Sequence, residues 1–317
     1  MADKLAISII ICTCNRAAGL RETLAAMAKC RLRPEWAVEL VVVDNASQDE
    51  TLVIVRDARV ANVEIRYVYE SKRGKANALN TGLKHAKGNL LLFTDDDVLV
   101  SADWIEQMVE ALQSFDAVTG KITLAPTLLR PWLTPKDRWW LASSEDAKPR
   151  EGHRELIGAN MGFWRRVLDK VPAFDAEIGP GAIGLGEDSL FGWQLVEAGF
   201  KIGYASNAEV LHLPDARRLQ RACWLDEVRK HARTDAYLSY HWEHADVFDC
   251  CVWAKKSFAW ARLWLRRIIG PLPPPDAEGW PRWEAGHVQT IAYYEQLSKE
   301  KKRPRNYEPR GLVKRNF

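Results

Sequence analysis

At 317 residues the chain has room for one large domain or two smaller ones, with ample area for a core. Its 45 Lys and Arg nearly balance 42 Asp and Glu, a net of +3, so no global field selects nucleic acid as a partner. Six cysteines without regular spacing read as reduced thiols of a cytosolic protein, not as a disulfide framework.

Residues 1–4 lead directly into a strand-like run, without the basic start, apolar stretch and cleavage site of a secretory leader. The β-branched run at 7–12 predicts a strand, and 20–28 has helical spacing. A second strand is predicted at 40–43, a helix at 49–56, and an alternating, half-buried strand at 63–69. Helix at 75–87, strand at 89–94, helix at 104–112 and an extended segment at 117–124 follow. Strands alternating with helices imply right-handed crossovers and an α/β fold with a mostly parallel sheet.

Beyond residue 125 the character changes, and twelve of the fourteen Trp lie there. Residues 126–150, rich in Pro, Trp and charge, predict a long loop. Short strands are predicted at 158–163 and 202–213 around a helix at 189–198, and 215–269 reads mainly as helix. The expected organisation is a unit over 1–215, divided at about residue 125, and a mainly helical extension over 216–317. From 300 to 317 there are seven Lys and Arg against two Glu, which predicts a basic, flexible tail.

The densest chemistry is Asp95-Asp96-Asp97, which closes the apolar run at 90–93. A buried strand ending in carboxylates places them at the carboxyl edge of the sheet, where open α/β sheets bind ligands. Such closely spaced like charges repel unless a cation or a shared proton relieves them. Mg²⁺-type ions are held by one or two carboxylates plus substrate phosphates, whereas a solvated acidic turn would bind nothing. Four further patterns favour the ion. Asp44 ends the run Val41-Val42-Val43. A basic loop, Lys72-Arg73-Gly74-Lys75, opens the helix containing Asn77, and helix amino termini attract anions. Gly186-Glu187-Asp188 precedes an amphipathic helix, and His212 ends a strand-like run.

In this order the motifs resemble those of the family 2 glycosyltransferases, which have the GT-A fold. The matching stretches are residues 7–16, 41–47, 74–80 and 91–97, with Gly186-Glu187-Asp188 and His212, over about two-thirds of the chain. The resemblance implies an inverting transfer of a sugar from a nucleotide-diphosphate donor, favouring a UDP-sugar, to a saccharide or lipid-linked saccharide. Bacterial polysaccharide or glycolipid synthesis is the implied setting. It also implies roles by position. Asp44 would bind the nucleobase, Asp95 the ribose or sugar, and Asp97 a divalent Mn²⁺ or Mg²⁺, with His212 as a further metal or diphosphate contact. Asp96 would support the loop, Arg73, Lys75 and Asn77 would line the donor pocket, Asp188 would be the general base, and Glu187 its neighbour.

Other signals carry less. Residues 179–184 match a dinucleotide fingerprint by letters but follow no strand, and no P-loop or Gly-x-Ser-x-Gly elbow occurs. His241 and His244, with Cys250 and Cys251 behind them, match no common zinc spacing. Trp139, Trp140 and Trp164 either stack on sugar rings or fill core. At 253–269 a helical wheel puts Lys255, Lys256, Arg262, Arg266 and Arg267 on one side and Phe258, Ala261, Trp264, Leu265, Ile268 and Ile269 on the other. That helix either contacts a membrane surface, as a peripheral protein at the inner face would, or packs between domains. The alternative activities are a sugar nucleotidyltransferase, which would want a glycine-rich basic loop after the first strand, and a non-catalytic carbohydrate- or lipid-binding adaptor.

Overall fold

The computed structural model describes residues 4–145, 155–246, 249–270 and 272–315, with 249–252 and 267 described by backbone alone. The first half alternates regularly: β1 (Leu5–Thr13), α1 (Ala17–Met27), β2 (Trp36–Asp44), α2 (Thr51–Asp57), β3 (Glu64–Tyr69), α3 (Lys75–His85) and β4 (Leu90–Asp95). A short β5 (Val98–Val100), α4 (Trp104–Ala111), β6 (Ala117–Leu124), α5 (Pro135–Arg138), β7 (Asn160–Trp164), α6 (Glu187–Glu197) and β8 (Ile202–His212) follow. Three helices end the chain: α7 (Arg221–His241), α8 (Asp249–Ile269) and α9 (Arg282–Glu300).

All described strands join one sheet in the order β3-β2-β1-β4-β7-β6-β8-β5. Pairing is parallel through β3-β2-β1-β4 and between β6 and β8, and antiparallel at β7 and β5. The inner strands are buried on both faces, which explains why they read as continuous apolar runs without alternation. On one face α1 and α4 cover Ile7, Ile9 and Leu92. On the other, α3 and α6 close over Ile10, Val41 and a stack of Phe93, Phe163, Phe174 and Phe191. Gly82 of α3 lies so close to the sheet that a Cβ there would sit 2.6 Å from Ile10 Cγ2.

Two expectations need correction. The 126–150 segment is not simply a loop as far as it is described. It forms α5, opened by a reciprocal Thr134–Asp137 capping box, and two 3₁₀ turns. Its remaining residues, 146–150, lie outside the described residues. The basic tail is not free. Asn306 and Tyr307 are buried, Arg310 N–H donates to Trp242 O (2.8 Å), and Lys314 Nζ reaches Asp175 (2.7 Å). Arg303 and Lys314 are attached to an acidic loop, at Asp175 and Glu177, that the sequence does not place nearby. The helix α9 falls within the expected helical extension, and β5, only three residues long, lies outside the predicted strands.

The paired histidines bind within the fold. His241 Nε2 contacts Glu300 (3.0 Å) and His244 Nε2 contacts Tyr307 O (2.9 Å), while Cys250 and Cys251 have side chains outside the described residues. Trp164 is a packing residue, its Nε1 donating to Leu112 O. No helix among the described residues is long and apolar enough to cross a membrane.

Candidate active site

Parallel pairing sets the site. Thr13, at the end of β1, is in register with Asp44, and Cys12 with Asp95, so the acidic ends of β2 and β4 flank β1 at one sheet edge. They stand two strand spacings apart, about 10 Å. Both loops leaving this edge turn through the left-handed region, at Asn15 (φ 55°) and Ala46 (φ 58°), the latter at a cost of roughly 1–2 kcal/mol for a residue with a Cβ. They are joined where Asn15 N–H donates to Ser47 Oγ (2.9 Å).

A cavity of about 540 Å³ opens above this edge. Arg73, Lys75, Asp95, Asp96, Asp97, Glu187, Asp188 and His212 all line it, although they come from four separate stretches of chain. Asp44 and Asn77 stand outside its wall. Asp44 accepts from Ser47 N–H (2.8 Å) and Tyr67 Oη (2.7 Å), and the Asn77 amide donates to Arg73 O (2.9 Å). Asn45 lines the cavity in their place and holds the basic loop, donating to Lys72 O (2.8 Å) and accepting from Gly74 N–H (2.8 Å).

The repulsion expected in the acidic triplet is met by side chains of the protein. Lys75 Nζ binds Asp95 Oδ1 (2.7 Å), while Arg16 binds Asp96 Oδ1 (3.2 Å) and also pairs with Asp97. Burial opposes the Lys75 charge, but Asp95, Glu187 and Asp188 outweigh it and hold the ammonium protonated. Burial also opposes the Asp97 charge, and His212 with Arg16 reverses it, keeping that carboxyl well below the usual range. Asp96 differs: its burial pushes it up to about 6 despite Arg16. Arg16 is the residue that sequence reading left without a role. Its position just past β1, between two acidic strand ends, was the available signal.

His212 is buried and its Nδ1 lies 2.8 Å from Leu141 O, which fixes the proton there and turns Nε2 toward Asp97 Oδ1 at 3.4 Å. When the ring is protonated that nitrogen donates to Asp97, and when it is neutral two acceptors face each other, so the pair takes either a proton or a cation. A carboxylate oxygen beside an imidazole oriented by a backbone carbonyl suits Mn²⁺ and accommodates Mg²⁺. Among the described residues no group of three or more His, Cys, Asp or Glu could enclose an ion, so the remaining ligands would come from substrate and water.

Across the cavity, α6 begins at Glu187 after Gly186 (φ 86°), which places both carboxylates in its first turn. The Asp188 oxygens accept from Gly158 N–H (2.8 Å) and Ser189 N–H (2.8 Å). Burial pushes both acids up, and the Asp188 charge adds to the effect on Glu187, which reaches about 7. Two N–H donors favour the ionised form of Asp188, so the pair's last proton resides on Glu187. Cys12 and Cys14 line the cavity too, and burial pushes the Cys12 thiol up and leaves it inert.

A sequence profile described as glycosyl transferase family 2 matches residues 8–171. Glycosyltransferase AglE of Haloferax volcanii is 32% identical over 120 residues, 37% of this chain and 39% of that protein. The glycosyltransferase YwdF of Bacillus subtilis is 31% identical over 174 residues, 54% and 63% respectively. The chain thus covers less than two-thirds of the length of either relative. Among solved structures, the mannosyltransferase PcManGT from Pyrobaculum calidifontis, in complex with GDP-Man and Mn²⁺, aligns over 93% of this chain and 87% of its own, with 21% identity and a TM-score of 0.59. TarS 1-349 of S. aureus, in complex with UDP-GlcNAc, aligns over 94% and 92% with 16% identity and a TM-score of 0.51. These likenesses establish the GT-A glycosyltransferase fold.

The cation at the centre of the cavity has a measurable role in stability. Lys75→Met is expected to lower the unfolding free energy by about 2–4 kcal/mol at pH 8 in urea denaturation, because three carboxylates lose their shared lysine. The loss should shrink toward pH 5 as the neighbouring acids take up protons. A variant as stable as wild type at pH 8 would show that Lys75 is not the compensating charge.

Proposed function

Because this chain belongs to glycosyl transferase family 2 and is a transferase enzyme, we propose that it moves a sugar with inversion from a nucleotide diphosphate to an acceptor hydroxyl, with the help of a divalent ion. The observation that carries this reading is the convergence of Asp95, Asp97, His212, Lys75 and Asp188 on one cavity. A UDP-sugar is the favoured donor, and polysaccharide or glycolipid synthesis the setting. Residues 1–215 form the catalytic unit, and 216–317 an extension that completes its wall.

Asp44 serves the nucleobase end. Its carboxylate has accepted two hydrogen bonds and has capacity for a ring N–H. Asp95, fixed by Lys75, receives ribose or sugar hydroxyls. Asp96 and Asn77 support their loops. Asp97 and His212 would hold Mn²⁺ or Mg²⁺, and Arg16 and Arg73 turn to the diphosphate oxygens. When bound, the ion supplies positive charge that offsets the diphosphate as it departs. Asp188 takes the proton of the acceptor hydroxyl as that oxygen bonds to the anomeric carbon from the face opposite the leaving phosphate oxygen. One bond forms as the other breaks, so the sugar inverts and no covalent enzyme intermediate arises.

The extension also offers a surface. Ala259 and Leu263 of α8 are buried against α7 and α9, while Trp253, Trp260, Trp264 and Ile268, each four or seven residues apart, form an exposed line on its outer side. Lys255, Lys256, Arg262 and Arg266 border the buried row, and the Arg267 side chain lies outside the described residues. An exposed apolar crest on a helix that also carries basic residues fits an anionic membrane surface, and it supports peripheral attachment at the cytoplasmic face near a lipid-linked acceptor.

Three outcomes test this reading. Nucleoside diphosphates with Mn²⁺ should raise Tm in a thermal-shift screen, and Asp97→Ala should weaken the Mn²⁺-dependent component at least tenfold. Equal affinity in both proteins would remove Asp97 from that role. Asp188→Asn should lower kcat by ~10²–10⁴. In wild type kcat/KM should rise with pH through an acid limb set above the ordinary Asp value of 3.8, since only ionised Asp188 is active. Glu187→Gln should leave that limb in place, because Glu187 is already protonated there; exchanged phenotypes would reverse the two roles. Finally, the protein should sediment with phosphatidylglycerol-containing vesicles and not with phosphatidylcholine alone, and Trp264→Glu/Ile268→Glu should abolish this. Vesicle binding unchanged by the double substitution would dismiss the α8 crest.

A further inference from the structure

One wall of the cavity is built away from the strand ends, by the 3₁₀ turn at Trp139–Leu141 and the first turns of α7. Glu227, Lys230 and His231 share a face of α7 at spacings of three and four, with Arg218 just before the helix. Leu225 and Val228 of the same helix are buried against α8 and α9. The wall is held in register with the catalytic acids. Thr234 of α7 accepts from Leu185 N–H (2.9 Å) and donates to Leu185 O (2.6 Å), two residues before Glu187. Only glycine fits at 184, where a Cβ would lie 2.3 Å from Lys230 O.

The charges on this wall are largely neutralised. Arg218 lies 3.5 Å from Glu227 and donates to Trp140 O (3.2 Å), while Lys230 pairs with Asp226 (2.8 Å) and approaches Glu227 at 3.7 Å. One donor and one acceptor are left over: Arg218 Nε and Glu227 Oε2 are buried without a hydrogen-bond partner. The terminal torsion of a glutamate is soft, so a small rotation presents that oxygen to the cavity. Beside them Trp139 is 47% exposed, its ring 5.4 Å from His231, and burial with the Arg218 and Lys230 charges pushes that imidazole down to about 4, so it is neutral.

We propose that this wall is the acceptor subsite and that it takes a neutral sugar ring, whose apolar face lies on Trp139 and whose hydroxyls meet Arg218 and Glu227. A hydroxyl both donates and accepts, which matches an orphan donor beside an orphan acceptor. A phosphorylated acceptor unit fits worse, because both cations already have carboxylate partners and Asp188 and Glu227 repel a dianion. The inference rests on the transferase reading and extends it to Trp139 and to Arg218 and Glu227, the last two beyond the stretch matched by the family profile.

The test uses the full chain with UDP or GDP and Mn²⁺, whichever pair raises Tm. Saturation-transfer NMR is run with cellobiose, N,N′-diacetylchitobiose and mannobiose, and with glucose 6-phosphate and ribitol 5-phosphate. At least one neutral disaccharide should bind, chiefly through its ring C–H protons. Trp139→Ala and Glu227→Leu should each weaken it at least tenfold, Trp139→Phe should restore it, and the nucleotide thermal shift should be unchanged in all three. Stronger binding of the phosphorylated probes overturns the proposal. So does full affinity in Trp139→Ala and Glu227→Leu, or no disaccharide binding by a wild-type protein that binds nucleotide. Absence of nucleotide binding in wild type would instead sink the transferase reading itself, so the two failures are separable.

Discussion

Five of the carboxylates that line the cavity come from two distant parts of the chain, and two cations make their arrangement tolerable. Lys75 reaches Asp95 and balances Glu187 and Asp188, while Arg16 pairs with Asp96 and Asp97. Charges this close in a partly dry cleft repel strongly, so the acids can remain ionised only where a positive group answers them. The loop that carries Arg16 and the helix that begins at Lys75 are therefore as much part of the site as the acids. A bound diphosphate with its ion would redistribute these same pairings.

The cavity also shows how the carboxyl-terminal third of the chain serves the site. Lys75 N–H donates to Pro180 O (2.8 Å), so the loop before α6 rests on the start of α3. That loop is held from behind by Asp175, which accepts from Tyr307 Oη (2.7 Å) and pairs with Lys314 Nζ (2.7 Å). Burial works against the Asp175 charge, and Lys314 outweighs it and keeps the carboxyl below its ordinary range. Residues almost three hundred positions from β1 thus hold the segment that delivers Glu187 and Asp188.

A division of labour follows along the fold. The parallel strands contribute a rigid edge with acids at its corners, and α6 contributes two carboxylates whose environments separate them. Asp188 has two backbone N–H donors, and Glu187 has the drier place and carries the proton. The helical extension adds the opposing wall on the inner side of α7 and an apolar crest on the outer side of α8.

Much of this was legible in the sequence, for a physical reason. Strands buried on both faces must be continuous apolar runs, so β1, β2 and β4 announced themselves, and the acids at their ends could lie only at the carboxyl edge. The identity of the acids, the basic loop and the Glu187-Asp188 turn were readable as chemistry placed at element boundaries. What the chain could not disclose alone were pairings between residues far apart in it. Arg16 as the cation of the acidic triplet, Lys314 on Asp175, and Arg218 with Glu227 facing Trp139 depend on which segments meet in space. Short-range periodicity records only how each segment buries its own apolar face, whereas the partner of a charge is chosen by tertiary packing.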